Sequence, residues 1–179
     1  MDGYVYVDKT DLIYKLVNEG RYYFLSRPRR FGKSLLLSTI EAYLSGKRDL
    51  FKGLALEQLE KDWTAYPIMH LDLNTDRYNT VDVLKDRLNL FLSHWERDYG
   101  RDHNEVTLSQ RFEGVIQRVY DKSGKRVVIL VDEYDKPLLQ AIGNDDLQNE
   151  YRGILKSFYG ALKSKDACIK FALLTGVTK

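Results

Sequence analysis

Apolar positions along the chain alternate between two rhythms. RYYFLSR (21–27) is a short aromatic and aliphatic run bounded by charge, as in a buried strand. SLLLSTIEAYLSG follows at helical spacing, with Leu36, Ile40 and Tyr43 or Leu44 on one face and Gly46 as the stop. YPIMHLDLN (66–74) predicts a second strand. Val81, Leu84, Leu88, Phe91, Leu92 and Trp95 then form a helical stripe, with Asn79 or Thr80 available as its cap. A further helix is expected after Ser109, carried by Phe112, Val115, Ile116 and Val119 and ended by DKSGK. The clearest strand is RVVILVDEYD, where five aliphatic residues stand in a row at 127–131. A continuous run of that length fits a parallel strand covered on both faces. Leu147, Tyr151, Ile154, Leu155, Phe158 and Leu162 make another helix, and CIKFALLTG (168–176) gives a last strand. Strands separated by helices predict an α/β domain with a mainly parallel sheet.

Composition adds mainly exclusions. The 179 residues are expected to form one domain, 1–179, without repeats, low-complexity tracts or a Pro/Gly-rich linker. A net charge of +2 provides no global field toward nucleic acid or an anionic membrane. No apolar run approaches the ~18–20 residues that span a bilayer, and the N-terminus lacks signal-peptide architecture. Cys168 is the single cysteine, so no intrachain disulfide forms and a reducing, cytoplasmic location is expected. His70, His94 and His103 have no Cys or His partners at metal-ligand spacing, which argues against a zinc site.

Chemistry concentrates at two strand ends. In RPRRFGKS, Gly32-Lys33-Ser34 lies between a predicted strand and a predicted helix. Backbone N–H groups and the helix dipole hold phosphates at such a junction. The second requirement is an apolar strand ending in an acid. VVILVDE supplies Asp132 for a magnesium shell and Glu133 as a candidate base for the attacking water. The pattern G-x-x-x-x-G-K-[ST] maps onto residues 27–34, with Arg27 where the first glycine is usual. Phosphate contact falls to the amides of Phe31, Gly32, Lys33 and Ser34, to the Lys33 ammonium and to the Ser34 hydroxyl. The first glycine mainly eases the turn, and Pro28 pushes Arg27 toward an extended conformation. Arg29 and Arg30 are open to three readings: solvated charges, contacts to phosphate or a neighbouring subunit, or contacts to nucleic acid.

YVDKTDLIYKLVNEGRYYFLSRPRRFGKSLLLSTIEAYLSG, LFKGL, VVILVDEYDKPLL and FALLTGVTK together resemble the prokaryotic AAA-ATPase-like family over essentially the whole chain. The resemblance implies a three-layer P-loop NTPase fold related to AAA+ and STAND ATPases. In that fold the strand bearing FALLTG lies between the loop strand and the acidic strand. It implies ATP and Mg²⁺ as cofactors, with Lys33 and Ser34 as the Walker A pair and Asp132 and Glu133 as the Walker B pair. Thr175 falls where a sensor-1 residue would contact the γ-phosphate or the water. YVDKTDLIYKL lies where related ATPases shape the adenine pocket, and it also reads as an N-terminal helix covering the sheet. Family members often continue into a region resembling PD-(D/E)xK nucleases. By that resemblance the chain is the front part of a larger protein, incomplete at its C-terminus, with the loop strand left at a sheet edge. An open edge favours association, and a homo-oligomer is among the expectations.

The leading sequence reading is an ATP-Mg²⁺ domain that hydrolyses the β–γ bond in its full-length context. A rival is a nucleotide-gated interaction module with little turnover. A third is nucleic-acid binding through Arg27, Arg29 and Arg30, or through a nuclease-like continuation.

Overall fold

The computed structural model describes residues 7–28 and 30–177. Strands β1 (Tyr22–Ser26), β2 (Ile68–Asp72), β3 (Val127–Asp132) and β4 (Ile169–Gly176) form one sheet in the order β1-β4-β3-β2. Every neighbouring pair is parallel. The last strand inserts between β1 and the acidic strand, and β1 lies at an edge, as the resemblance implies.

Parallel neighbours need crossovers, and helices supply them. These are α1 (Thr10–Glu19), α2 (Lys33–Leu44), α3 (Ala55–Leu59), α4 (Val81–Tyr99), α5 (Leu108–Ser123), α6 (Lys136–Gln140) and α7 (Asp145–Ser164). β3 is buried at every residue because it faces a core on each side. Val127, Ile129 and Val131 pack with Leu84, Leu88, Phe112 and Phe158 of α4, α5 and α7. Val128 and Leu130 pack with Ile13, Val17, Leu37 and Ile40 of α1 and α2. The result is the expected three-layer α/β/α fold.

Helix starts differ in detail from the sequence reading. Thr80 occupies the cap position of α4, but its side chain makes no capping bond. α5 opens one residue before Ser109, because Thr107 and Gln110 form a capping box. The Gln110 amide donates to Thr107 Oγ1 at 3.2 Å, while Gln110 Oε1 accepts from the Thr107 amide at 3.0 Å.

Strand register sets where chemistry gathers. Ser26 pairs with Gly176 and Asp72 with Asp132, so the C-terminal strand ends share one rim. In open parallel sheets that rim is where ligands bind.

Candidate functional site

The loop between β1 and α2 turns through two left-handed residues, Arg30 (φ 66°) and Gly32 (φ 74°). Glycine takes this conformation without a Cβ penalty, whereas at Arg30 it costs about 1–2 kcal/mol. Gly32 then starts α2, its carbonyl accepting from the Leu36 amide at 2.9 Å. Arg27, in the position of the usual first glycine, donates its amide to the Gly176 carbonyl at 3.1 Å. Arg29 lies outside the described residues.

The loop lysine points back into its own loop and toward the acidic strand. Lys33 Nζ donates to the Arg27 carbonyl at 2.9 Å and stands 3.1 Å from Glu133 Oε1. Only 5% of Lys33 is exposed. Glu133 adopts a left-handed φ of 53°, ending β3 in a sharp turn. One residue earlier, Asp132 is clamped by two hydroxyls. Ser34 Oγ donates to its Oδ2 at 2.8 Å, and Thr175 Oγ1 donates to its Oδ1 at 2.5 Å. Lys33, Ser34, Asp132, Glu133 and Thr175, far apart in sequence, thus converge on one rim. Thr175 is 0% exposed, so its hydroxyl acts on the hollow above through Asp132 and through the Glu133 amide, which donates to it at 3.4 Å. Phe31 is named by the motif for its amide, but its exposed ring lines an apolar hollow.

Sequence reasoning did not single out the residues that lock the rim. Asp135 is fully buried, and its Oδ2 accepts from the Val177 amide at 2.9 Å. The Tyr134 amide donates to the Thr175 carbonyl at 2.9 Å. A Cβ on Gly176 would lie 2.6 Å from Tyr134 Cε1 and 2.7 Å from Asp135 Oδ1, so only glycine fits there. Beneath them burial, reinforced by Tyr78, Tyr134 and Asp135, pushes the Tyr159 phenol far above its ordinary range and keeps it neutral. The only signal for this lock was the second acid of DEYD.

Two hollows meet at the loop. One, about 850 Å³, is bounded by Leu12 and Leu16 of α1, Tyr23 and Leu25 of β1, and Phe31. The other, about 660 Å³, is polar and lined by Ser34, Asn74, Glu133, Lys136 and Gln140. Gly32, Lys33 and Leu35 line both. Both volumes fall in the ligand-sized range of roughly 300–1,000 Å³. The helix expected from YVDKTDLIYKL is present as α1. Ile13 and Val17 cover the sheet while Leu12 and Leu16 wall the apolar hollow.

Among the described residues no group of three or more His, Cys, Asp or Glu side chains is placed to hold a metal. The pair formed by Ser34 Oγ and Asp132 is nevertheless a hard-oxygen donor set. It suits Mg²⁺, which takes one or two carboxylates and completes its shell with phosphate oxygens and water. Among the described residues no helix is long and apolar enough to cross a membrane.

The chain is 36% identical over 179 residues to "Uncharacterized protein in vnfD 5'region" of Azotobacter chroococcum mcd 1. The match covers 99% of this chain and 34% of that protein, so the chain spans about a third of its relative's length. The family described as Predicted AAA-ATPase matches residues 1–179, and the chain belongs to it.

Proposed function

We propose that the chain binds ATP with Mg²⁺ where β1 meets α2, and that the full-length natural protein hydrolyses the β–γ bond. The observation carrying this reading is the convergence of Lys33, Ser34, Asp132, Glu133 and Thr175 at the seam between an apolar and a polar hollow. The apolar hollow under α1 suits the base. The triphosphate would cross the first turn of α2, where the amides lack helical acceptors, and end in the polar hollow. Lys33 would exchange the Glu133 carboxylate and Arg27 carbonyl for phosphate oxygens. Ser34 and Asp132 would hold Mg²⁺, which when bound neutralises phosphate charge. Glu133, freed from Lys33, is the base that orients water and takes its proton. Thr175 acts through Asp132, fixing the carboxylate that faces the metal position.

The ion pair between Lys33 and Glu133 also favours a second reading, a nucleotide-gated module that turns over slowly. The two are separated by turnover in the full-length natural protein. Glu133→Gln is expected to keep ATP affinity while the rate falls by at least ~10²-fold. Equal, slow rates from wild type and variant would leave only the gated module.

A further inference from the structure

Three cations line the polar hollow: Arg30, Lys33 and Lys136. Lys33 faces Glu133 at 3.1 Å. Among the described residues neither the exposed Arg30 nor the half-buried Lys136 has a carboxylate within ion-pairing distance. The Lys136 ammonium donates instead to Asn74, to the backbone carbonyl and, at 3.0 Å, to the side-chain oxygen. An ammonium has three donors. Asn74 takes two and fixes the lysine's direction, which leaves the third donor open to solvent or to an anion in the hollow. An anion in the hollow would give this ammonium a counter-ion and a charge-assisted hydrogen bond.

Position says which anion. Lys136 follows Glu133 by three residues, and its amide donates to the Glu133 carbonyl at 3.0 Å, so backbone and side chain are both tied to the acidic turn. It lines the polar hollow and not the apolar one. A triphosphate whose base lies under α1 meets Lys33 first and Lys136 last. Arg30, Lys33 and Lys136 outnumber Asp132 and Glu133 around this end; without Lys136 the charges would balance, although a magnesium-bound triphosphate is still anionic.

We propose that Lys136, aimed by Asn74, is a second phosphate-binding cation that contacts the terminal phosphate and makes the site prefer ATP to ADP. This inference rests on the nucleotide reading above.

The test is competition binding of ATP and ADP, each with Mg²⁺, against a fluorescent nucleotide in the full-length natural protein. Lys136→Met is expected to weaken ATP by about tenfold or more, as for a lost bond to a charged group, with ADP within ~2-fold. Lys136→Arg should retain part of the preference, and Asn74→Ala should lose part of it through misdirection of the ammonium. Lys33→Ala should weaken both nucleotides together, which separates the two lysines. If Lys136→Met fails to fold, the ATP-to-ADP ratios of Lys136→Arg and Asn74→Ala decide. ATP and ADP weakening in parallel, or unchanged ratios in every variant, would overturn the proposal and leave Lys136 a strut between two loops. If wild type and Lys33→Ala bind alike, the nucleotide sits elsewhere and both readings fall.

Discussion

Asp132 is held by one buried hydroxyl and one exposed hydroxyl, and removing them separately should give opposite results in two assays. Thr175 is 0% exposed and donates at 2.5 Å to Oδ1; Ser34 is exposed and donates at 2.8 Å to Oδ2. Thr175→Val keeps the branched shape and deletes the donor. A hydrogen bond to a charged group contributes about 1.5–3 kcal/mol. Ser34 still serves the other oxygen, so the lower end, about 1.5 kcal/mol, is expected. For a cooperative unit of this size each kcal/mol moves Tm by roughly 2–4 °C, giving a drop of about 3–6 °C. In Ser34→Ala water can replace the lost hydroxyl, and the stability change should stay within about 0.5 kcal/mol. The order reverses for the magnesium-dependent part of ATP binding, because Ser34 faces the polar hollow and Thr175 does not. Thermal unfolding without nucleotide reads the first effect, and ATP titration with and without Mg²⁺ reads the second. Equal destabilisation by the two variants would refute the assignment of Thr175 as the buried clamp.

Two further perturbations probe the loop and the α1 wall. Arg27→Gly should leave ATP affinity within about one order of magnitude by titration, because Arg27 offers its amide to Gly176 and its carbonyl to Lys33, and glycine has both groups. Asp8 ties α1 to α3, accepting from the Ala55 amide at 2.8 Å, the Thr10 amide at 2.9 Å and the Thr10 hydroxyl at 2.7 Å. These bonds, the one from Ala55 first, hold its carboxyl below the usual range. A depressed carboxyl stabilises the fold above its unfolded value near pH ~4, and that stability disappears as pH falls through the folded value. Asp8→Asn should therefore have a lower Tm than wild type at pH 7, with the gap closing in acid; a gap independent of pH would refute this.

The sequence made the sheet legible because a parallel core strand reads as an unbroken aliphatic run, and 127–131 is one. The long helices were legible by period. α3 and α6 were not, since five residues make too little helix to show one. Lys33, Ser34, Asp132 and Glu133 could be picked out because each sits at a strand end in a motif whose chemistry needs that residue type. Thr175 entered through family resemblance alone, and its burial against Asp132 depends on β4 lying beside β3. Pairings across the rim were hidden for the same reason. Lys136 with Asn74, Lys33 with Glu133, and Val177 with Asp135 join segments that only the crossovers bring together. Nothing periodic or compositional in either partner announces such a contact.

The central claim is that the Gly32-Lys33-Ser34 turn holds the phosphates of ATP, and the thermal shift on adding ATP with Mg²⁺ tests it most directly. A ligand at ~100 times its Kd stabilises by roughly 2.7 kcal/mol, which for this size is about 5–11 °C. Lys33→Ala also breaks the pair with Glu133, so each protein is compared with itself, with and without nucleotide. A rise of that order is expected in wild type, with the loss of most of it in Lys33→Ala. An equal rise in the variant, or none in wild type at saturating nucleotide, would contradict it.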